Sequence, residues 1–348
     1  MTSFAGWQMP LRYASETAEH QAVRHAAGLF DLSHMGEITV AGADAGALLD
    51  YALVGNLSAL RPGRARYTMI CADDGGVLDD LVVYRLDGDR FLVIANASNT
   101  EVVFGAFRDR AAASGHDARV SDETDDWALI AIQGPAAARI LGPLASDLDL
   151  AVMKYYAGAF GSVAGRRAWV ARTGYTGEDG FEVFCRPEDA VPVWDLLAAA
   201  GGPAGLVPAG LAARDTLRLE AGMPLYGNEL GRDVTPFEAG LGRVVKFDKP
   251  GEFVGREALA ARAASGPVRR LAGLTIQSRR IARHGYPVLA DGKECGVVTS
   301  GAPSPTLGVP IAMAFLEPTA DDHVLTVGIR GEAVPAQLTD LPFYRRRR

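Results

Sequence analysis

The sequence has few of the features that mark disulfide-rich, secreted and membrane proteins. Among its 348 residues are only three cysteines, Cys71, Cys185 and Cys295, which lie far apart and form no Cys-x-x-Cys pair. Cysteines this sparse exclude a disulfide framework and are typical of buried thiols in a reducing compartment. No apolar stretch reaches the length that spans a bilayer, and the N-terminus lacks the basic and apolar blocks of a signal peptide. We therefore expect a cytoplasmic protein without a membrane partner.

Motifs for metals, nucleotides and nucleic acids are also missing. The net charge is −7 and no basic stripe is visible, which argues against nucleic acid as the main partner. None of the six histidines has metal-ligand spacing to another histidine or cysteine, so we expect no metal. Neither a GxSxG motif nor a Walker loop is present. The basic exception is RRRR at residues 345–348, which is typical of a solvated tail, with contact to an acidic ligand or partner as the alternative.

What is present is the composition of an ordinary globular chain, with 48% hydrophobic and 22% charged residues. Hydrophobic periodicity and turn signals predict helices that alternate with strands along most of its length. One helix is predicted over residues 15–28, with Ser15 and Gly28 as its caps. Further on, the pattern changes to short strands at regular spacing, which is typical of a small closed or sandwiched β domain. The predicted fold class is therefore α+β, with a body at residues 1–266 and a β-barrel-like domain at residues 267–348.

Two adjacent carboxylates, Asp79 and Asp80, begin a buried strand in the segment GGVLDDLVVY, residues 75–84. Because side chains alternate across a strand, one aspartate can face solvent while the other points into the fold or a cleft. The simplest interpretation is a strand entry with one solvated carboxylate and one that caps backbone amides. The alternative is a partly buried carboxylate that accepts a proton or holds an amine. This stretch alone leaves both interpretations open.

The segment TGYTGEDGFEVF, residues 173–184, places three glycines in a loop between two strands. It does not open a helix with GxGxxG, so the dinucleotide fingerprint is not met. The segment is either a plain hairpin or a ligand-binding loop. In the second case Tyr175 offers a flat stacking surface. Glu182 can then accept two parallel N–H donors, as a carboxylate does from arginine or from an aminopyrimidinone-type ring.

Other polar positions also have a structural and a functional interpretation. Arg214 and Arg218, four residues apart on one helical face, form either a surface salt-bridge network or a clamp for a ligand carboxylate. His34, in FDLSHM, fits a satisfied structural group better than a ligand-binding residue. Asn96 and Asn99, in VIANASNTE, most simply cap the helix that follows them.

Taken together and in order, several segments resemble one family over almost the whole chain. The segments are FAGWQMPLRY, LFDLSHMGEITVAG, RYTMICADDGGVLDDLVVY, LIAIQGP, RTGYTGEDGFEVF, GLAARDTLRLEAGMPLYGNEL and VTSGAPSPTLGVPIAMAFL. They look like aminomethyltransferase, the T-protein of the glycine cleavage system. Motifs of this length in this order make chance agreement remote, and together they favour the functional interpretations above.

The resemblance implies a tetrahydrofolate-dependent enzyme. Members of this family take an aminomethyl group from the lipoyl thiol of H-protein. They transfer its one-carbon unit to tetrahydrofolate, which gives 5,10-methylenetetrahydrofolate and ammonia. Their fold is a cloverleaf of three domains around a folate channel, with two mixed antiparallel-sheet and helix domains followed by a β-barrel. The implied co-substrate is therefore tetrahydrofolate, and the implied partner is lipoylated H-protein.

The family's site residues carry over by position. The catalytic aspartate falls on Asp79, the first of the pair. The residues that the resemblance implies for folate binding are Met35, Tyr67, Asn96, Tyr175, Glu182, Arg214 and Tyr344. Two alternatives share the fold: a folate-dependent demethylase of another small methylated donor, and a non-catalytic folate-binding relative. Iron–sulfur assembly relatives carry a KGCYxGQE-like stretch, which this sequence does not contain.

Overall fold

The computed structural model describes residues 1–346, with the side chains of residues 321 and 322 excepted. The strands are β1 Thr2–Phe4, β2 Trp7–Met9, β3 Ala27–Asp31, β4 Gly36–Ala41, β5 Arg64–Cys71, β6 Val77–Arg85, β7 Arg90–Ala95, β8 Arg119–Asp122, β9 Ala128–Gln133, β10 Gly158–Val163, β11 Arg166–Ala171, β12 Gly180–Cys185, β13 Leu206–Pro208, β14 Arg270–Ile276, β15 Pro287–Ala290, β16 Lys293–Pro303, β17 Pro310–Leu316, β18 Leu325–Ile329 and β19 Glu332–Thr339. The helices are α1 Glu16–His25, α2 Ala45–Ala52, α3 Thr100–Ser114, α4 Ala137–Leu141, α5 Pro187–Gly201, α6 Leu211–Glu220 and α7 Arg256–Ser265. None of the helices in this part of the chain is long and apolar enough to cross a bilayer.

The first open sheet contains the aspartate pair. Its strand order is β5-β6-β7-β4-β8, and every neighbouring pair is antiparallel. A buried core between one face of this sheet and helices α2 and α3 takes Leu81 and Val83 from β6. Val82 and Tyr84, which alternate with them, pack in a different core on the other face. Between Asp79 and Tyr84, the register of β6 therefore sends odd-numbered side chains toward the helices and even-numbered ones toward the second sheet.

The second open sheet has the order β10-β11-β12-β9-β3-β13. Only its edge pair, β13 and β3, is parallel; the other pairs are antiparallel. One face packs on α4 and α5 through a core that includes Ile132, Phe181 and Leu197. The other face meets the first sheet, where Tyr84 lies edge-on to Phe184 with ring centroids 5.7 Å apart. The two sheets thus share a core while each keeps its own helical cover.

The C-terminal strands form a closed barrel in the order β14-β17-β16-β15-β18-β19, and pairing of β14 with β19 closes it. Closure pairs every strand on both sides, so the barrel exposes no edge to a second chain. The barrel meets α6 where Leu219 packs with Ile311 and Met313. The predicted α+β class with a C-terminal barrel is confirmed. The boundary predicted at residue 267 stays a prediction, and the barrel strands run from Arg270 to Thr339.

Helix α1 ends earlier than the sequence predicted. Ser15 is its N-cap and accepts a hydrogen bond from the Ala18 amide, as expected, but its C-cap is Ala26 rather than Gly28. Gly28 lies in β3 instead, where a Cβ atom would come within 2.4 Å of Val23 Cγ2. This glycine therefore lets α1 pack closely on the second sheet. Its small size, and not the conformational freedom of a cap, explains its position.

Candidate active site

A cavity of about 930 Å³ lies where the three sheets meet. Its wall takes Tyr67 and Asp80 from the first sheet, Glu182 from the second, Arg214 from α6 and Ala302 from the barrel. This volume is that of a small-molecule binding site. In the described part of the chain, no group of three or more histidine, cysteine, aspartate or glutamate side chains could hold a metal ion.

Most of the residues implied by the family resemblance meet in this wall. The cavity-lining members are Met35, Tyr67, Asn96, Tyr175, Glu182 and Arg214. They come from positions far apart in the sequence, so only the fold brings them together. Asp79 and Tyr344 are not part of this lining.

The two aspartates at the start of β6 have different surroundings. Asp79 is 0% exposed and lies on the helix-covered side of the sheet, whereas Asp80 lines the cavity. The Tyr67 hydroxyl donates a hydrogen bond to Asp80 Oδ2 at 3.0 Å. Strand alternation turns Asp79 away from the cavity, so its catalytic role stays a prediction that the lining does not support. Asp80 is the member of the pair that a bound ligand would meet.

Asn96 connects the two carboxylates. Its side-chain amide donates to Asp79 Oδ1 at 2.8 Å and to Asp80 Oδ1 at 2.9 Å. Its backbone N–H donates to Asp79 Oδ2 at 3.0 Å, and the Asn99 amide donates to Asp79 Oδ1 at 2.9 Å. Asn99 stands at the N-cap position of α3 and Asn96 at that of the short 3-10 turn before it, as predicted, but neither side chain makes a capping hydrogen bond. They bind the aspartates instead.

Both aspartates hold their protons more strongly than a solvated carboxylic acid. Burial, followed by the charge of Asp80, raises the pKa of Asp79 to about 7, against the lowering effect of the two asparagines. Burial also raises the pKa of Asp80, although hydrogen bonds from Tyr67 and Asn96 act in the opposite direction. A carboxylate whose pKa is raised toward neutrality is suited to accept and return a proton.

Glu182 is held in place from behind by two hydroxyl groups. Tyr84 donates to its Oε2 atom at 3.0 Å, and the Thr173 hydroxyl makes a short hydrogen bond to the same atom. Glu182 also lines the cavity. Because both of these donors bind Oε2, Oε1 is the oxygen left to accept a hydrogen bond from a ligand. The position of Glu182 at the start of β12 therefore fits the predicted role of a ligand acceptor.

Tyr175 and Arg214 form a stacked pair in the same wall. The Arg214 guanidinium lies 4.7 Å from the Tyr175 ring centroid, and the Tyr175 hydroxyl donates a short hydrogen bond to the Pro224 carbonyl. Within residues 1–346, no carboxylate forms an ion pair with Arg214. Its neighbour Arg218, by contrast, is bound by Glu229 at 2.9 Å and by Asp215 at 2.8 Å. Of the two arginines that the sequence singled out, Arg214 is therefore the one free to bind a ligand carboxylate.

His34 and Glu37 are buried polar residues near the cavity that sequence reasoning did not assign to the site. His34 lines the cavity, and its Nδ1 atom lacks a hydrogen-bond partner among the described residues. Burial, followed by the charge of Arg214, lowers the pKa of His34 to about 4, so the imidazole is neutral at physiological pH. The expectation of a satisfied structural histidine is therefore wrong. The motif FDLSHM was the available signal, since it places His34 next to cavity-lining Met35.

Glu37, on β4, is 0% exposed, and both of its carboxyl oxygens lack a partner among the described residues. Burial, followed by the charges of Asp122 and Glu182, raises the pKa of Glu37 to about 9. The folded protein therefore keeps Glu37 protonated at pH 7, whereas the unfolded chain would ionise it near its ordinary pKa of about 4.5. Burial of Glu37 in the folded protein therefore costs more free energy as the pH rises.

We expect Glu37→Gln to stabilise the protein in a pH-dependent way. Since the pKa of Glu37 is raised in the folded state, the wild-type protein loses stability as the pH rises above about 4.5. The loss reaches its full size above about pH 9. Between pH 4 and pH 7 the free energy of unfolding of the variant should gain about 3 kcal/mol relative to the wild type. Urea titrations at several pH values would measure this. A difference that does not change with pH would contradict it.

Tyr344 lies on a buried ion-pair network beside α1 and α6. Arg24 donates to Glu220 Oε2 at 2.9 Å and to Glu178 Oε1 at 3.0 Å, and its guanidinium lies 4.0 Å from the centroid of the Tyr344 ring. The Tyr344 backbone N–H donates to the Glu220 carbonyl at 2.8 Å. The structure thus gives Tyr344 a part in anchoring the C-terminal segment, and its predicted contact with folate stays a prediction.

The basic tail is partly described. Arg346 lies 3.4 Å from Asp179 and stacks over Tyr155, while Arg345 is exposed. Arg346 therefore makes an acidic contact within its own chain. Arg347 and Arg348, for which the sequence predicted a solvated tail or a partner contact, lie outside the described residues.

Two family models match the chain, one on each side of the barrel boundary. The model described as the GCVT N-terminal domain matches residues 1–249. The model described as the glycine cleavage T-protein C-terminal barrel domain matches residues 269–345. The chain therefore belongs to the glycine cleavage T-protein family.

Individual relatives agree over nearly their whole length. An aminomethyltransferase of Streptomyces coelicolor is 60% identical over 100% of this chain and 94% of its own. One of Bacillus subtilis is 44% identical, covering 99% of this chain and 94% of its own. The crystal structure of glycine cleavage system aminomethyltransferase T from Bartonella henselae is similar with a TM-score of 0.91 at 35% identity, covering 99% of this chain and 94% of that one. The resemblance predicted from the motifs is confirmed.

Proposed function

We propose that this chain is the aminomethyltransferase of a glycine cleavage system, acting on lipoylated H-protein and tetrahydrofolate. The reaction breaks two bonds of the transferred carbon, one to the amino nitrogen, which leaves as ammonia, and one to the lipoyl sulfur. It forms two carbon–nitrogen bonds to tetrahydrofolate, giving 5,10-methylenetetrahydrofolate. The two protons that the folate nitrogens lose leave with ammonia and with the lipoyl thiol.

The observation that carries this proposal is that Asp80 and Glu182 both lie in the wall of one cavity. Glu182 presents an acceptor oxygen that is fixed from behind by Tyr84, and Asp80 presents a carboxylate fixed by Tyr67 and Asn96. A folate has both a ring edge with neighbouring N–H donors and amine nitrogens that lose protons during transfer. One cavity therefore offers a carboxylate for recognition and another for proton transfer.

The other lining residues fit the remaining parts of tetrahydrofolate. Tyr175 supplies an aromatic face, and Arg214 supplies a guanidinium suited to the glutamate carboxylates of the ligand. Tetrahydrofolate, when bound, supplies the two nitrogen nucleophiles. The neutral imidazole of His34 adds no charge that would repel the cationic carbon. The cavity volume of about 930 Å³ is large enough for a ligand of this class.

Asp80 acts as the proton acceptor in this proposal, in place of Asp79. Its carboxylate lies in the wall, so it can orient a folate amine, remove its proton and stabilise positive charge on the transferred carbon. Burial raises its pKa, which makes it a stronger base than a solvated carboxylate. Holding the two reactants in line adds to this effect, since effective molarities reach ~10⁵ M or more.

The decisive experiment is an assay with aminomethylated, lipoylated H-protein and tetrahydrofolate. We expect methylenetetrahydrofolate and ammonia to form in equal amounts, and neither to form without the chain or with unlipoylated H-protein. Parallel assays with small methylated amines in place of H-protein test the demethylase alternative. Binding of tetrahydrofolate without any turnover would instead support the non-catalytic alternative. We further propose a cytoplasmic location, which three buried free thiols support.

We expect Arg214→Ala to weaken tetrahydrofolate binding about 10- to 100-fold, because a charge-assisted pair with a carboxylate contributes roughly 1.5–3 kcal/mol. Arg214→Lys should recover part of the loss, since an ammonium keeps the charge but lacks the planar fork. Isothermal titration with tetrahydrofolate measures both. Arg262→Ala, on the exposed face of α7, is the matched control and should bind normally. An unaltered affinity in Arg214→Ala would remove this residue from the site.

A further inference from the structure

Asp79 is a buried carboxylate with no positive partner. It is 0% exposed, and no arginine, lysine or histidine of residues 1–346 forms an ion pair with it. Its three hydrogen bonds all come from neutral amides, two of them from Asn96 and one from Asn99. A carboxylate buried in this way costs free energy that an apolar residue would not, because amides offset its lost hydration only in part. Its presence under the site calls for a reason other than stability.

The hydrogen bonds of Asp79 lead directly to the cavity. The Asn96 amide that donates to Asp79 Oδ1 also donates to Asp80 Oδ1 at 2.9 Å and to the Asp80 carbonyl at 3.2 Å. An amide nitrogen has two hydrogens in one plane, so fixing one hydrogen fixes the direction of the other. The Asn99 amide donates to the same Asp79 Oδ1 atom at 2.9 Å and is itself held by a second contact, to the Leu78 carbonyl at 3.3 Å. The orientation of the Asp80 carboxylate therefore depends on Asp79.

The titratable groups close to Asp79 and Asp80 are neutral, so the main electrostatic interaction of each carboxylate is with the other. The charge of Asp80 acts on the phenol groups of Tyr67, Tyr156 and Tyr175. The charge of Asp79 acts on the phenol of Tyr226. All four are neutral phenols at physiological pH. Two carboxylates bridged by one amide and not neutralised by a cation cannot both ionise readily, so the pair shares a proton near neutral pH.

We propose that Asp79 is a positioning residue that acts on the reaction through Asp80. It fixes the Asn96 amide that holds the Asp80 carboxylate, and it shares with Asp80 the proton that the two carboxylates hold near neutral pH. This inference rests on the proposed function. With Asp79 in place, Asp80 takes up the amine proton at neutral pH. With asparagine at position 79, whose amide oxygen can still accept from Asn96, Asp80 keeps its place in the wall but becomes a weaker base.

The test is the pH profile of kcat for Asp79→Asn, measured with aminomethylated H-protein and tetrahydrofolate. We expect kcat at neutral pH to fall about 10-fold or more, and the acidic limb of the profile to move to lower pH by on the order of one unit. The KM for tetrahydrofolate should stay within about two-fold of the wild type, because Asp79 does not line the cavity. A purely structural role would lower the melting temperature without moving the acidic limb, and that result would overturn the inference.

A second variant keeps the test valid if Asp79→Asn does not fold. Asn99→Ala removes one amide from Asp79 while leaving both carboxylates and Asn96 in place. With less support, Asp79 holds its proton to higher pH, so the acidic limb should again move downward, by a smaller amount. An unchanged limb in this variant would count against the inference. Failure of the proposed function is separate, since the wild-type chain would then form no methylenetetrahydrofolate at all.

Discussion

Asp80→Asn should lower kcat for methylenetetrahydrofolate formation by about 10²- to 10⁴-fold, which is the range that general acid–base catalysis contributes. The substitution keeps the size of the side chain and an acceptor oxygen for Tyr67, which donates to Asp80 Oδ2 in the wild type. Folate binding should therefore persist, because Glu182, Tyr175 and Arg214 are untouched. The expected signature is a loss in kcat with a near-normal dissociation constant for tetrahydrofolate.

Single-turnover assays and equilibrium titrations on the same preparation separate these two quantities. Asp73→Asn, on the exposed turn before β6, is the matched control and should keep wild-type kcat. An Asp80→Asn variant that turns over at the wild-type rate would exclude Asp80 as the proton acceptor. A variant that loses kcat and folate affinity together would show that Asp80 binds the ligand without a separate catalytic role.

Arg24→Met should destabilise the protein by about 3–5 kcal/mol, the usual cost of removing one partner from a buried ion pair. The Arg24 side chain is 1% exposed, and its removal leaves Glu220 and Glu178, which are 0% and 5% exposed, without their cation. Glu220 keeps contacts to His20, Ser304 and Thr306, which join α1, α6 and the barrel. The loss therefore acts on the junction of the three sheets.

Urea titration followed by tryptophan fluorescence measures this change in the free energy of unfolding. Arg90→Met offers a matched control, because Arg90 pairs with Glu123 at 3.1 Å but is 39% exposed. Exposed pairs of this kind contribute about 0–1 kcal/mol. If both variants lost the same small amount of stability, the buried network would contribute no more to the free energy of unfolding than an exposed ion pair.

The sequence predicted the composition of the site better than its geometry. Six cavity-lining residues were named from motifs, because motifs preserve residue type and order. The resemblance implies Asp79 as the catalytic residue, whereas the cavity wall contains Asp80, because in a strand a single position reverses the direction of a side chain. Which face of β6 looks into the cavity depends on the second sheet, whose strands β9, β11 and β12 lie far along the chain. The local sequence pattern of β6 carries no information on how the second sheet packs against it.

The misread local signals have the same origin. Asn99 precedes α3 and has the residue type of a cap, yet its amide turns to Asp79, which is 20 residues away. His34 has the residue type of a satisfied core histidine, yet its Nδ1 atom lacks a partner within residues 1–346. The predicted end of α1 includes the first two residues of β3, Ala27 and Gly28, because the pairing partners of this strand, β9 and β13, are distant in sequence. For Asn99 and for β3, a long-range contact outweighed the local preference.

The three cysteines also allow the order of unfolding to be followed without introducing any label site. Cys71 lies on β5 of the first sheet, Cys185 on β12 of the second and Cys295 on β16 of the barrel, and all three are buried and free. Each thiol reacts with a maleimide only when its own part of the molecule opens. Pulsed alkylation at rising denaturant, read by peptide mass, would therefore report separately on the opening of each sheet in the native chain.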